Sequence, residues 1–122
     1  MKNRDALRER FKREPLANKL GELAVSLSLF ASFSADHADH REIASGLLNE
    51  PVCYAEWTAP DTSTELQAEL TEIHQQLTRW QQNWESIWSD ETRKQAVITQ
   101  ARAWSEHLLD VSGLLQPARE VA

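Results

Sequence analysis

Hydrophobic residues recur in steps of four and three along most of the chain, the spacing that lines side chains along one face of an α-helix. Leu16, Leu20, Leu23, Leu27 and Phe30 follow it. They predict an amphipathic helix opened by Pro15, whose missing amide hydrogen suits a first helical turn, and ending near Ser34. A second helix is predicted from Asp39, where Glu42 completes a capping-box-like pair. Ile43, Leu47 and Leu48 supply its apolar face, and Pro51 kinks or ends it near Glu50. Val52, Cys53, Tyr54, Ala55 and Trp57 leave room for another turn before Pro60. The longest pattern follows the capping-box sequence Thr62-Ser63-Thr64-Glu65: Leu66, Leu70, Ile73, Leu77, Trp80, Trp84 and Ile87 predict one unbroken third helix. Ser89 or Asp90 caps a fourth, carried by Val97, Ala101, Trp104, Leu108 and Val111 and closed at Ser112-Gly113 with Pro117 beyond.

The link between the third and fourth helices is short, which requires antiparallel neighbours with interlocking stripes. The expected fold is therefore all-α: an antiparallel up-down four-helix bundle with a short basic N-terminal helical extension. Residues 1–14 form the basic amphipathic extension, 15–116 the bundle and 117–122 a frayed C-terminal tail. A length of 122 residues suits one core. The scarcity of Gly and Pro, with three and four copies, starves the turns that a β fold needs. No Gly-rich loop follows a strand pattern, which sets aside Rossmann and P-loop readings.

Charge divides the chain unevenly. Up to Lys19, seven basic residues oppose three acidic ones, a balance of +4, whereas the remainder carries six against sixteen, or −10. The body should repel phosphate backbones, so nucleic acid is expected only at the N-terminal arm. A single cysteine, Cys53, permits no intrachain disulfide and agrees with a cytoplasmic location. The apolar stretch Leu23 to Phe33 falls short of the roughly 20 residues that span a bilayer. A basic start, that stretch and the small residues Ala31 to Ala35 loosely imitate a secretory signal, but Asp5, Glu9, Glu14 and Glu22 and the amphipathic pattern argue against one.

Five tryptophans offer the first candidate contacts. Trp80, Trp84 and Trp104 lie on the stripes and are expected to fill the core. Trp57 in an irregular region and Trp88 at a stripe edge are better placed for a contact surface. Arg4, Arg8 and Lys12 share one face of the N-terminal arm with Leu7 and Phe11 on another. Such a helix suits an anionic membrane, RNA or an acidic partner, or packs its apolar residues on the domain. Asp36, His37 and His40 carry donors suited to a divalent metal, although capping by the aspartates explains the same cluster. Paired Glu-x-x-His motifs of di-iron bundles are absent.

Arg102 and His107 form an R-x4-H pattern in the last main helix. It resembles the motif of HEPN domains, all-helical modules of which some cleave RNA. The resemblance spans six residues and implies that Arg102 steadies phosphate charge while His107 moves a proton. Ala103 departs from the Asn, Asp or His that often follows the arginine. Five residues also turn a helix by about 140°, so convergence would require a dimer or local distortion.

With no nucleophile and base pair in view and no cofactor implied, the sequence reads best as a non-enzymatic protein–protein interaction module, an adaptor or regulatory subunit. Its expected partner is another protein or a second copy of itself, met through Trp57, Trp88, Leu7, Phe11, Arg4, Arg8 and Lys12. The alternatives are an RNA-cleaving or RNA-binding protein using Arg102 and His107, and a metal-responsive module at Asp36, His37 and His40.

Overall fold

The computed structural model describes residues 2–35 and 40–113, which are almost wholly helical with no strand among them. The elements are α1 (Lys2–Lys12), α2 (Leu16–Ala35), α3 (Arg41–Leu47), α4 (Asn49–Thr58), a 3-10 turn (Ala59–Asp61), α5 (Thr64–Gln82), α6 (Trp84–Ser89) and α7 (Glu91–Ser112). The chain is all-α.

The helix ends follow from local chemistry. Pro15 accepts at its carbonyl from the Lys19 amide at 3.0 Å, opening α2. Asp90 caps α7 by accepting from the amides of Thr92 and Arg93, which satisfies donors that the first turn leaves without partners. Gly113 closes α7 at a φ of 79°, a left-handed conformation that costs glycine little.

Tertiary contacts set the directions. The ion pair of Lys19 with Asp61 joins the beginning of α2 to the turn before α5. Near the other end of α2, Phe30 meets Trp80 at 5.9 Å and Trp84 at 5.7 Å between ring centroids, so α2 and α5 run parallel. Asn49 accepts from Gln81 at 3.0 Å while His74 lies 3.9 Å from Glu56, so α4 runs against α5. Trp80 stacks on Trp104 and Glu69 meets His107, so α7 also runs against α5. This alternation is compatible with the expected up-down bundle.

Side-chain size decides which helices come closest. The most extensive contact is between α2 and α7, where Ala24, Ala31, Ala101 and Ser105 are buried. The backbones of α5 and α7 stay further apart, separated by the stacked Trp80 and Trp104, whose ring centroids lie 5.2 Å apart. Small residues allow close approach, whereas two indoles hold their helices apart.

Several expectations need correction. The third predicted helix is broken at Asn83, whose φ of −113° and ψ of 24° interrupt the α conformation between α5 and α6. Its side-chain amide donates to the Arg79 carbonyl at 2.9 Å, a local bond that competes with regular helix continuation. The break directs the Trp84 indole N–H to the Arg41 carbonyl at 3.0 Å. Ser63, not Thr62, caps α5, because the Thr62 hydroxyl donates to Ala59 in the preceding turn. The break expected near Glu50 falls at Leu48, and the turn expected after Pro51 is a full helix, α4, with Pro51 in its first turn, where a missing amide hydrogen costs nothing. Ile43 and Val111, assigned to apolar stripes, are 51% and 43% exposed. The expected frayed tail over 117–122 and the Asp39 cap lie outside the described residues.

Candidate docking groove

The stripe that buries α2 accounts for Leu20, Leu23, Leu27 and Phe30. A second ladder, Gly21, Val25 and Leu29, rises at four-residue intervals on the same helix; Gly21 is buried, while Val25 and Leu29 reach solvent. Val25 is 61% exposed and Leu29 42%. Together with Asn18, Glu22 and Ser26 they line a groove of about 570 Å³, bordered by Glu14 before α2, by Glu50 and Tyr54 of α4, and by Leu109 of α7.

Each polar wall residue has a distinct state. Ser26 donates back to the Leu23 carbonyl at 2.7 Å, so its hydroxyl proton is committed within α2. Tyr54 is only 6% exposed, and its ring stacks on Phe11 of α1 with centroids 4.5 Å apart and planes within 3°. That stack, completed by Trp57 at 5.8 Å from Phe11, fixes the position of the phenol.

The groove is electrostatically one-sided. Glu14, Glu22 and Glu50 are its charged lining residues, and no basic side chain lines it. Burial pushes the Glu22 carboxyl above its ordinary range, reinforced by repulsion from Glu14 and Glu50 and opposed by Arg10. Burial likewise raises Tyr54, with Glu50 and Glu22 adding to the effect, so the phenol stays neutral.

The residues first singled out are distributed differently. Phe11 and Trp57 are buried in the core, 2% and 8% exposed, which corrects their assignment to a contact surface. Leu7 is partly buried against that core. Arg8 and Lys12 remain exposed on α1, while the side chain of Arg4 lies outside the described set. Trp88 is partly buried: it packs on Trp84 at 5.5 Å, and the Lys94 ammonium lies 3.9 Å from its ring centroid.

Arg102 and His107 are both exposed, and among the described residues no hydrogen bond or ion pair joins them. His107 shares a 2.6 Å contact with Glu69 instead. This places an acid beside the imidazole where the RNA-cleaving alternative wants an anionic backbone. Asp36 and His37 lie outside the described residues, His40 packs its ring on Phe33 at 5.3 Å, and no cluster of metal-ligating side chains occurs among the described residues. No described helix is long and apolar enough to cross a membrane.

No family model, curated protein or solved structure matches the chain. The groove residues lie beside the strongest apolar stripe of α2, which masks them in the hydrophobic pattern. The available signal was the four-residue ladder of Gly21, Val25 and Leu29 beside that stripe, which gives α2 two apolar faces where a surface helix needs one.

Proposed function

We propose that the chain is a non-enzymatic helical interaction module, an adaptor or regulatory subunit, whose docking surface is the groove between α2, α4 and α7. The observation that carries this reading is the side-by-side exposure of Val25 and Leu29, at 61% and 42%, inside one concave wall. Covering apolar surface stabilises a complex by about 25 cal/mol per Å² before the costs of association, and grouped exposed apolar residues mark contact sites. The contact surface thus shifts from the tryptophans to α2, while the indoles and Phe11 shape the scaffold behind it.

The test is site-specific photo-crosslinking in cells that express the chain, with the photoreactive residue at Val25 or, as a control, at the exposed Gln75 of α5. A discrete protein adduct at position 25 only, unchanged by ribonuclease treatment, is expected. Identical adducts at both positions would overturn the reading. RNA captured without protein would favour the Arg102 and His107 alternative.

A further inference from the structure

We infer that the groove receives a basic amphipathic helix: a partner segment whose apolar face covers Val25 and Leu29 and whose flanking lysines or arginines meet Glu14, Glu22 and Glu50. The inference rests on the docking reading above and deepens it by naming the chemistry of the occupant.

Shape comes first. The α2 wall runs from Asn18 to Leu29, about three helical turns or ~16 Å at 1.5 Å per residue. A ladder of that length matches the contact made by the i, i+4, i+8 face of another helix.

Charge then selects among helices. Three carboxylates border the apolar strip and no cation lines it. An acidic or neutral partner would bury them without a counter-charge, which is costly. A second copy meeting the groove about a two-fold axis would set the same three carboxylates against each other, so self-association is disfavoured here. Nucleic acids and anionic bilayers are repelled by the same groups.

Tyr54 supplies an independent observation. The residue is only 6% exposed and belongs to the groove wall, held there by its stack on Phe11. A neutral phenol beside Glu22 and Glu50 completes a site that accepts hydrogen bonds from an ammonium or guanidinium.

The experiment uses the full chain and three fluorescent peptide helices of about 18 residues, long enough to cover the groove at ~1.5 Å per residue. All three share one Leu/Ala face and differ in carrying Lys, Gln or Glu on its flanks. By anisotropy, the Lys peptide is expected to bind about tenfold more tightly than the Gln peptide at low salt, the Glu peptide most weakly. The preference should shrink as salt rises to ~0.5 M. Glu22→Gln with Glu50→Gln should shrink that preference severalfold, by weakening the Lys peptide and tightening the Gln peptide, whose docking no longer buries those two carboxylates. Val25→Gln with Leu29→Gln should weaken all binding, with circular dichroism confirming that these exposed changes leave the fold intact.

Equal binding of Lys and Gln peptides, both lost in the Val25/Leu29 variant, would overturn the basic partner but keep the groove. Lys-peptide binding that ignores the Val25/Leu29 variant would sink the docking reading itself. A sedimenting dimer that this variant converts to monomer would assign the groove to a second copy and overturn the inference.

Discussion

The Ser105 hydroxyl donates a 2.7 Å hydrogen bond to the carbonyl oxygen of Ala24, joining α7 to α2 across 81 positions of sequence. Ser105 is 5% exposed and Ala24 fully buried, so the bond forms where the two helices press together. It also explains how a hydroxyl is accommodated in that seam. Replacing Ser105 by Ala should cost about 1 kcal/mol, the net value of one buried hydrogen bond. Replacing it by Leu should cost more, roughly 2–3 kcal/mol, because the added volume pushes α2 and α7 apart. Urea denaturation of both variants checks the order, and a Leu variant as stable as wild type would contradict close packing of the pair.

Lys19 has a nearly buried side chain, 4% exposed, against an Asp61 that is 47% exposed. Removing the carboxylate strands a buried ammonium, so Asp61→Asn should destabilise the protein by about 1–2 kcal/mol, discounted because Asp61 is half in water. Lys19→Met removes the charge that needs pairing and should be close to neutral. Melting temperatures of the single and double variants decide it: the double variant should recover most of the loss seen in Asp61→Asn.

Trp80 and Trp104 stack with planes within 25° and hold α5 and α7 at a distance set by two indoles. Trp104 is partly buried, so Trp104→Ala should cost roughly 2 kcal/mol, below the range for a fully buried aromatic. Trp104→Phe should lose less than half of that. Denaturation followed by tryptophan emission and by far-ultraviolet circular dichroism should give coincident curves for wild type.

Glu22 provides a test in pH. Its folded carboxyl binds protons more tightly than the ordinary glutamate value of 4.5. The stability linked to this proton is fully present below the unfolded value and is lost as pH rises through the raised folded value. Glu22→Gln should therefore raise the melting temperature near pH 7 relative to wild type, and the gain should vanish at about pH 3.5, where both states of Glu22 are protonated. Glu14, Glu50 and Arg10 shape the same field, so the Gln variant should also bring Tyr54 closer to its ordinary range. An ultraviolet titration of the phenol reads that change directly.

The helical course of α2, α5 and α7 was legible because their apolar steps are regular and Pro15, Asp90 and Gly113 mark ends, although the cap of α5 fell on Ser63 and not on Thr62. The break at Asn83 was not, since Trp80, Trp84 and Ile87 keep their spacing across it. One asparagine bonding to its own preceding turn leaves no trace in a hydrophobic pattern. Trp57 was read as a contact because it lay in an apparently irregular region, and Phe11 because it sits on the apolar face of the basic arm, a face that could also pack on the domain. Their mutual packing with Tyr54 joins α1 to α4, a contact between distant segments that periodicity cannot register.

What the sequence by itself determined is local: an all-α chain, the faces that must leave water, most helix ends, and a basic arm ahead of an acidic body. These follow from spacing and capping chemistry, which act within a few residues. The tertiary structure decided which helices touch closely, that Phe11 and Trp57 belong inside, and that Val25 and Leu29 remain outside beside three carboxylates. The reason is that an apolar face demands burial without naming the surface that buries it. On α2 there are two such faces, and the α7 seam covers one of them.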